Sequence, residues 1–340
     1  MNSSSLDALK REYMPALEAD LRERLRYPPE GSDPTVQMLH YHMGWESSQY
    51  KQGGAFGKRT RPLLTLLCAH AGGGHWRSAL PLASAIELVH NFSLIHDDIQ
   101  DESELRRGRP TLWAIWGKAQ AINAGDALFA YAHLAVQSAT KLAPETRLEA
   151  LSVLDQACLA LTSGQHSDLA FESAERVDEK DYKEMVAGKT AALIAASAEI
   201  GALVGCTSEP QRENYRVFGH ALGMAYQVRD DILGIWGESD RTGKPSGEDI
   251  LARKKTLPVV IGMEHSPGLR ALYRSTAGDD MLDVPNVVRL LQECGARAAA
   301  EEVERAHVDL ALSRLTAAEP VGKAGEALRA LAHQLLERTN

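Results

Sequence analysis

Apolar side chains recur at three- and four-residue intervals through nearly every long segment of the chain. Leu82, Ala85, Ile86 and Val89 make one stripe, with Leu80, Ala83 and Leu88 beside it, so this stretch is apolar on more than one side. That spacing predicts buried α-helices. Alanine-rich runs from Ala119 to Ala139 and from Ala191 to Ala202 favour close helix packing, whereas β-branched alternating runs are scarce. The pattern predicts an all-α bundle. Interruptions fall where Gly, Pro and polar residues cluster: Tyr27 to Pro34, Gly53 to Gly57, Gly72 to His75, Arg106 to Pro110, Cys206 to Pro210, Gly237 to Gly247 and Ser266 to Asp280. None is long enough for a domain linker, and there is no solenoid repeat or low-complexity tract. The expectation is a single domain over residues 1–340, with a motif-bearing core at about 56–260 and peripheral helices at about 281–340.

With 340 residues, 44% of them apolar, the chain can bury a substantial core. Its net charge is −9, and Lys and Arg are dispersed in short clusters. That distribution excludes the broad basic face of a nucleic-acid binder, so any anionic ligand must be met locally. Cys68, Cys158, Cys206 and Cys294 lie far apart without CxxC spacing. Such usage fits reduced thiols better than a disulfide framework or a zinc site. The N-terminal stretch is amphipathic and charged, unlike a signal peptide, and no run reaches about 18 uninterrupted apolar residues. These features lead us to expect a soluble, cytoplasmic protein with no integral membrane segment.

Two acidic clusters interrupt apolar helices. In the segment Ile86 to Arg109, an apolar run containing Phe92, Leu94 and Ile95 ends in Asp97, Asp98 and Asp101. Residues four apart share a helical face, so the carboxylates of Asp97 and Asp101 converge, and like charges this close call for a neutralising cation. Magnesium meets that need, because it takes one or two carboxylates and completes its shell with water and phosphate oxygens. A second pair, Asp230 and Asp231, follows the apolar stretch Ala221 to Val228. Cations stand close by in sequence: Lys58, Arg59 and Arg61; Arg106, Arg107 and Arg109; Lys189 beside Thr190; and Lys244, Lys254 and Lys255. Singly, Arg59, Arg109 and Lys255 read as well as solvated charges. Together the cations resemble clamps for two diphosphates, one held through metal and one directly.

At these residues the chain resembles the trans-prenyl diphosphate synthase family from about Phe56 to Val260. The family's ordered motifs are matched by GKRTRP at Gly57 to Pro62, by His90 to Thr111, Gly164 to Leu169, Lys189-Thr190, Gln227 to Asp231, and Gly243 to Asp249. The resemblance implies an all-α homodimer of the isoprenoid synthase type, built around a deep apolar cavity. It implies three magnesium ions per active site, with manganese as a substitute, on Asp97, Asp101 and Asp230, and outer-shell roles for Asp98 and Asp231. Arg106, Lys189 and Lys244 would meet the allylic diphosphate. Lys58, Arg61, His90 and Arg107 would hold isopentenyl diphosphate, with Lys254 also assigned to substrate binding. Thr190, Gln227 and Asp168 would line the reacting region.

One position departs from the family's commonest pattern, because Gly234 stands where the second motif usually ends in aspartate. The resulting DDILG keeps open the alternative of a class I terpene cyclase, against which Lys58, Arg61 and Arg107 argue; a non-catalytic regulatory subunit is a third reading. Counting down the helix from Asp97, Ser93 lies ~6 Å and Phe92 ~7.5 Å deeper. In this family a bulky residue at the position of Phe92 acts as a cavity floor, which favours geranylgeranyl over farnesyl diphosphate as product.

Overall fold

The computed structural model describes residues 3–26, 33–45, 57–206, 208–237, 247–274 and 282–336. In chain order its helices are α1 (Ser3–Arg24), α2 (Pro34–His42), α3 (Thr60–Ala71), α4 (Leu80–Gln100), α5 (Leu112–Trp116), α6 (Lys118–Gln137), α7 (Pro144–Ser173), α8 (Glu179–Val186), α9 (Ala192–Gly205) and α10 (Glu209–Trp236). They continue as α11 (Glu248–Leu251), α12 (Leu257–His265), α13 (Pro267–Arg274), α14 (Val284–Glu293), α15 (Ala296–Ala317) and α16 (Gly322–Leu336). The described strands are β1 (Leu105–Arg106) and β2 (Arg109–Pro110), a two-residue-deep antiparallel hairpin. The all-α expectation holds. α13 falls inside a stretch expected to be a break, where Pro267 starts the helix rather than ending one.

The contacts group the chain into two compact units. Unit 1 comprises residues 1–155, 197–212 and 320–328, and unit 2 comprises 156–196, 213–319 and 329–340. In unit 1, α1 presents Leu6, Leu9, Tyr13, Leu17 and Leu21 along one face, all buried. α3 adds Leu63, Leu64, Leu66 and Leu67, and α4 adds Leu82, Ile86, Leu88 and Val89. A Cβ on Gly125 of α6 would collide with His96 of α4, and Phe129 packs on Phe92 with ring centroids 5.3 Å apart. Gly125 thus meets His96 while Phe129, one turn on, meets Phe92, one turn back, so α4 and α6 run antiparallel. A late segment closes this unit: the Val321 N–H bonds the Ala71 carbonyl at 2.8 Å.

Unit 2 has its own core, to which Tyr182, Val186, Val228, Ile232, Leu257 and Val260 contribute. The helices beyond residue 281, expected at the periphery, supply Val287, Leu291, Ala296 and Ala300 to it. Between α8 and α9, residues Ala187–Ala191 form a π-helical turn carrying Lys189 and Thr190. Two stretches, Trp76–Gln100 and Glu179–Gly205, are apolar and long enough to cross a bilayer, but they are 67% and 72% buried, as core helices are.

Candidate active site

The first acidic cluster sits at the C-terminal end of α4. Asp101 caps the helix and its N–H bonds the Asp97 carbonyl at 2.8 Å, so the two acids stand one turn apart at the last turn. Asp101 is exposed, Asp97 half-buried and Asp98 buried. Asp98 accepts a hydrogen bond from Arg106 Nε at 2.7 Å. Burial raises the Asp98 carboxyl to about 6, with Arg106 opposing that rise. Asp98 is thus already bound to arginine, one residue along the chain from Asp97.

The hairpin that brings Arg106 back to Asp98 depends on its two-residue loop. Arg107 (φ 54) and Gly108 (φ 75) both lie in the left-handed region, the signature of the turn that matches strand twist. Its register pairs Arg106 with Arg109 and leaves Arg107 at the tip. The Arg107 guanidinium reaches over Gly57, where a Cβ would lie 2.8 Å from Nη1. Arg109 instead turns away, donating to the Tyr41 carbonyl at 3.2 Å and stacking over the Tyr41 ring at 4.2 Å. Its solvated reading is corrected: it is a packed, bonded side chain.

Arg59 needs the same correction. It is 6% exposed, between Glu87 (2.6 Å) and Glu18 (2.9 Å), and caps α3 in the left-handed region at φ 47. Asn91 donates to the same Glu87 carboxylate at 2.8 Å. Arg59 thus pins the start of α3 to α1 and α4, with Lys58 exposed and Arg61 half-buried on either side of it. Arg61 Nη1 lies 3.4 Å from His90 Nε2. His90 is held well below the ordinary histidine value, first by burial and then by Arg61, Arg107, Arg106 and His42, so it stays neutral. His42, Asn91, Asp98, Arg106 and Arg107 line one pocket in this unit.

The second cluster belongs to unit 2. Asp231 is buried and accepts three hydrogen bonds: from Tyr182 Oη (2.6 Å), from Gln227 Nε2 (2.9 Å) and from the Leu257 N–H (2.9 Å). Burial pushes its carboxyl up to about 6 against these donors. Gln227 in turn accepts from Thr190 Oγ1 at 2.8 Å. One relay therefore links α10, the π turn, α8 and α12. Asp230, its neighbour, is half-buried. Lys189 on the π turn pairs with Asp168 of α7. Close backbone approach accompanies this pair, since a Cβ on Gly164 would collide with the Lys189 backbone nitrogen and one on Gly188 would lie 2.5 Å from the Ala160 carbonyl oxygen.

Lys254 is exposed, 3.8 Å from Asp249. Lys255, read as a solvated charge, instead donates to the backbone carbonyls of Phe171 and Ala174. Lys244 lies outside the described residues. Phe92 stacks on Phe129 and on His96, at centroid distances of 5.3 and 4.8 Å, and Ser93 is buried with its hydroxyl on the His90 carbonyl. Sequence reasoning missed Tyr182, Glu18, Glu87 and Asn91. Asn91 alone carried a signal, its place beside His90 within a matched motif.

A chain whose described residues are mainly helical, with an acid-and-arginine cluster at the end of one core helix and a second acidic pair, braced by a lysine-bearing π turn, defines the class. The polyprenyl synthetase family profile matches residues 47–293, and the chain belongs to that family. It is a prenyltransferase, a short-chain trans-prenyl diphosphate synthase with the isoprenoid synthase fold. It is 37% identical over 346 residues to a (2E,6E)-farnesyl diphosphate synthase of Mycobacterium tuberculosis, covering 98% of this chain and 95% of that one. It is 39% identical over 289 residues to a geranylgeranyl diphosphate synthase of the same organism, covering 83% and 82%. The crystal structure of a geranylgeranyl pyrophosphate synthetase from Pyrococcus horikoshii superposes with TM-score 0.85 at 34% identity over 98% of both chains. A polyprenyl synthase from Caulobacter crescentus, complexed with calcium and isoprenyl diphosphate, superposes with TM-score 0.82 at 28% identity, covering 100% of this chain and 98% of that one. These relatives are prenyl diphosphate synthases, not cyclases.

Proposed function

We propose that this chain joins isopentenyl diphosphate to an allylic diphosphate by magnesium-dependent 1′–4 condensation, with geranylgeranyl diphosphate as its product. The observation that carries the reading is that each acidic pair has one member secured by protein donors, Asp98 by Arg106 and Asp231 by Tyr182, Gln227 and Leu257. Asp97 and Asp101, one turn apart at the end of α4, and Asp230, beside Asp231 on α10, are the acids we assign to the metal. Among the described residues no three His, Cys, Asp or Glu side chains form a metal cage by themselves. An oxygen-only set of one or two carboxylates per ion fits magnesium, whose remaining ligands are water and phosphate oxygens. Asp97, Asp101 and Asp230 would hold three ions, with manganese as a substitute. Bound there, the metal supplies Lewis-acid neutralisation of the departing diphosphate.

The chain's own residues do the rest. Arg106 and Lys189, already oriented by Asp98 and Asp168, offer charge to the allylic diphosphate, and Lys244 is assigned with them. Lys58, Arg61, Arg107 and the neutral His90 hold isopentenyl diphosphate, with Lys254 also a substrate contact. The allylic C–O bond breaks with its electron pair leaving on diphosphate, a charge the preorganised cations stabilise. The alkene pair of isopentenyl diphosphate then forms the new C–C bond from C4, and loss of a proton to the departing diphosphate restores a double bond. Gln227 and Thr190, fixed to each other and to Asp231, line the reacting region, and apolar walls exclude water.

Phe92 supports a twenty-carbon product because its ring is braced by Phe129 and His96 rather than free to swing aside. The farnesyl reading is favoured instead by the relative that covers nearly the whole chain. We read residues 1–340 as one catalytic domain, since α7, α9, α10 and α16 each run from one compact unit into the other. We also read it as a homodimer, supported by Ile122 and Leu134 of α6, which are 44% and 55% exposed. Sedimentation of a monomer at micromolar concentration would remove that reading. For the activity, purified protein is incubated with magnesium, labelled isopentenyl diphosphate and, separately, dimethylallyl, geranyl and farnesyl diphosphates. Linear chains ending at twenty carbons are expected; absence of elongation with any primer sinks the proposal.

A further inference from the structure

Four aromatic rings interleave between α4 and α6. His96 seats against Gly125; its ring centroid is 4.8 Å from that of Phe92, Phe92 lies 5.3 Å from Phe129, and Phe129 lies 4.5 Å from His133. All three contacts are tilted or T-shaped, as aromatic pairs prefer. The helices are antiparallel and the acids stand at the end of α4, so His133, one turn beyond Phe129, is the ring of the four farthest from the acids. It is tied at both nitrogens. Nδ1 donates to the Phe129 carbonyl at 2.9 Å, since a carbonyl can only accept, and Nε2 pairs with the Asp155 carboxylate of α7 at 2.7 Å. The imidazole cannot turn without breaking one of these bonds. All five residues belong to unit 1.

We infer that His133, tied to Asp155, is a positioning residue for product length: it holds the Phe129 ring against Phe92 and so keeps the cavity floor from yielding to a longer chain. The inference rests on the proposed role of Phe92. A growing hydrocarbon pushes Phe92 away from the acids, and that ring gives way only if Phe129 moves as well. Phe129 has no polar atom in its side chain to anchor it, so packing alone decides its rotamer. The imidazole beside it, fixed by two hydrogen bonds, takes away the room to move. The stop is thus built across three helices, with the floor on α4, the brace on α6 and the tie that holds the brace on α7. Side-chain exposures of 23% for His133 and 46% for Asp155 mean that substituting either one removes the bond without stranding a buried charge.

The test extends farnesyl diphosphate with labelled isopentenyl diphosphate and magnesium, and measures the ratio of products longer than the parent's final product to that product itself. KM and kcat for addition to dimethylallyl diphosphate are measured alongside. His133→Ala and Asp155→Ala are each expected to raise the ratio about ten-fold, the equivalent of one hydrogen bond to a charged group, with KM and kcat for dimethylallyl diphosphate unchanged. Asp155→Asn, which still offers Nε2 an oxygen, is expected to keep the parent's ratio. A structural role alone would lower turnover or the thermal midpoint without lengthening the product. Phe92→Ala is the control for the floor. If it lengthens the product while His133→Ala and Asp155→Ala do not, the inference falls and the floor stands; if Phe92→Ala leaves the ratio unchanged, the floor falls and takes the inference with it.

Discussion

Asp231 illustrates how little of a buried site is written beside it. Its place in the second acidic motif marks it, yet the hydroxyl that holds it comes from Tyr182, whose sequence surroundings are those of any core tyrosine. Tyr182→Phe keeps the ring and removes one donor from a buried carboxylate. The expected loss is about 1–3 kcal/mol of stability, read from urea unfolding. Arg59 is the converse case. Its charge is plain in GKRTRP, but its burial is decided by Glu18 and Glu87, 41 and 28 residues away. Arg59→Met is expected to cost about 3–5 kcal/mol, because Glu87 would be left as an unpaired buried charge; a loss below about 1 kcal/mol would show that water reaches Glu87.

Among elements, the long helices were legible because their apolar stripes extend over many turns, and the acidic ends of α4 and α10 were legible because carboxylates cluster where an apolar run stops. The hairpin was not. Arg106 to Pro110 read only as an interruption, since nothing in the residue types says that Arg107 takes a left-handed conformation that positions Arg106 towards Asp98. Gly108→Ala is expected to cost about 1–2 kcal/mol in stability, since a Cβ disfavours φ 75 although no atom lies within 4 Å of it. A cost near zero would mean the turn relaxes to another type. The π turn was equally invisible: residues 179–205 keep a helical composition throughout, and one extra residue in a turn leaves no compositional trace.

For the molecule as a whole, the response to acid sets two buried histidines against two buried carboxyls. His42 is lowered to about 3, chiefly by burial and then by Arg106, Arg107 and Arg59, and His90 is lowered as well. Once unfolded, both would take up protons near pH ~6.5. Their contribution to stability is therefore complete above that pH and is lost as pH falls towards 3. Asp98 and Asp231, raised to about 6, act in the opposite direction, because the folded state binds protons there that the unfolded chain does not. By urea unfolding, His42→Gln is expected to lose less stability than the parent between about pH 7 and pH 5; parallel profiles would clear His42 of the effect. A single domain was also the natural reading of a chain with no linker, and the sequence offers no way to foresee that segments of two compact units alternate along it. That alternation bears on synthesis. Unit 1 begins with the first 155 residues but takes its last piece from 320–328, joined through Val321 to Ala71. A ribosome will have released most of the apolar faces of α1, α3 and α4 long before that piece emerges. The nascent chain therefore spends nearly its whole translation with the interior of unit 1 unfinished.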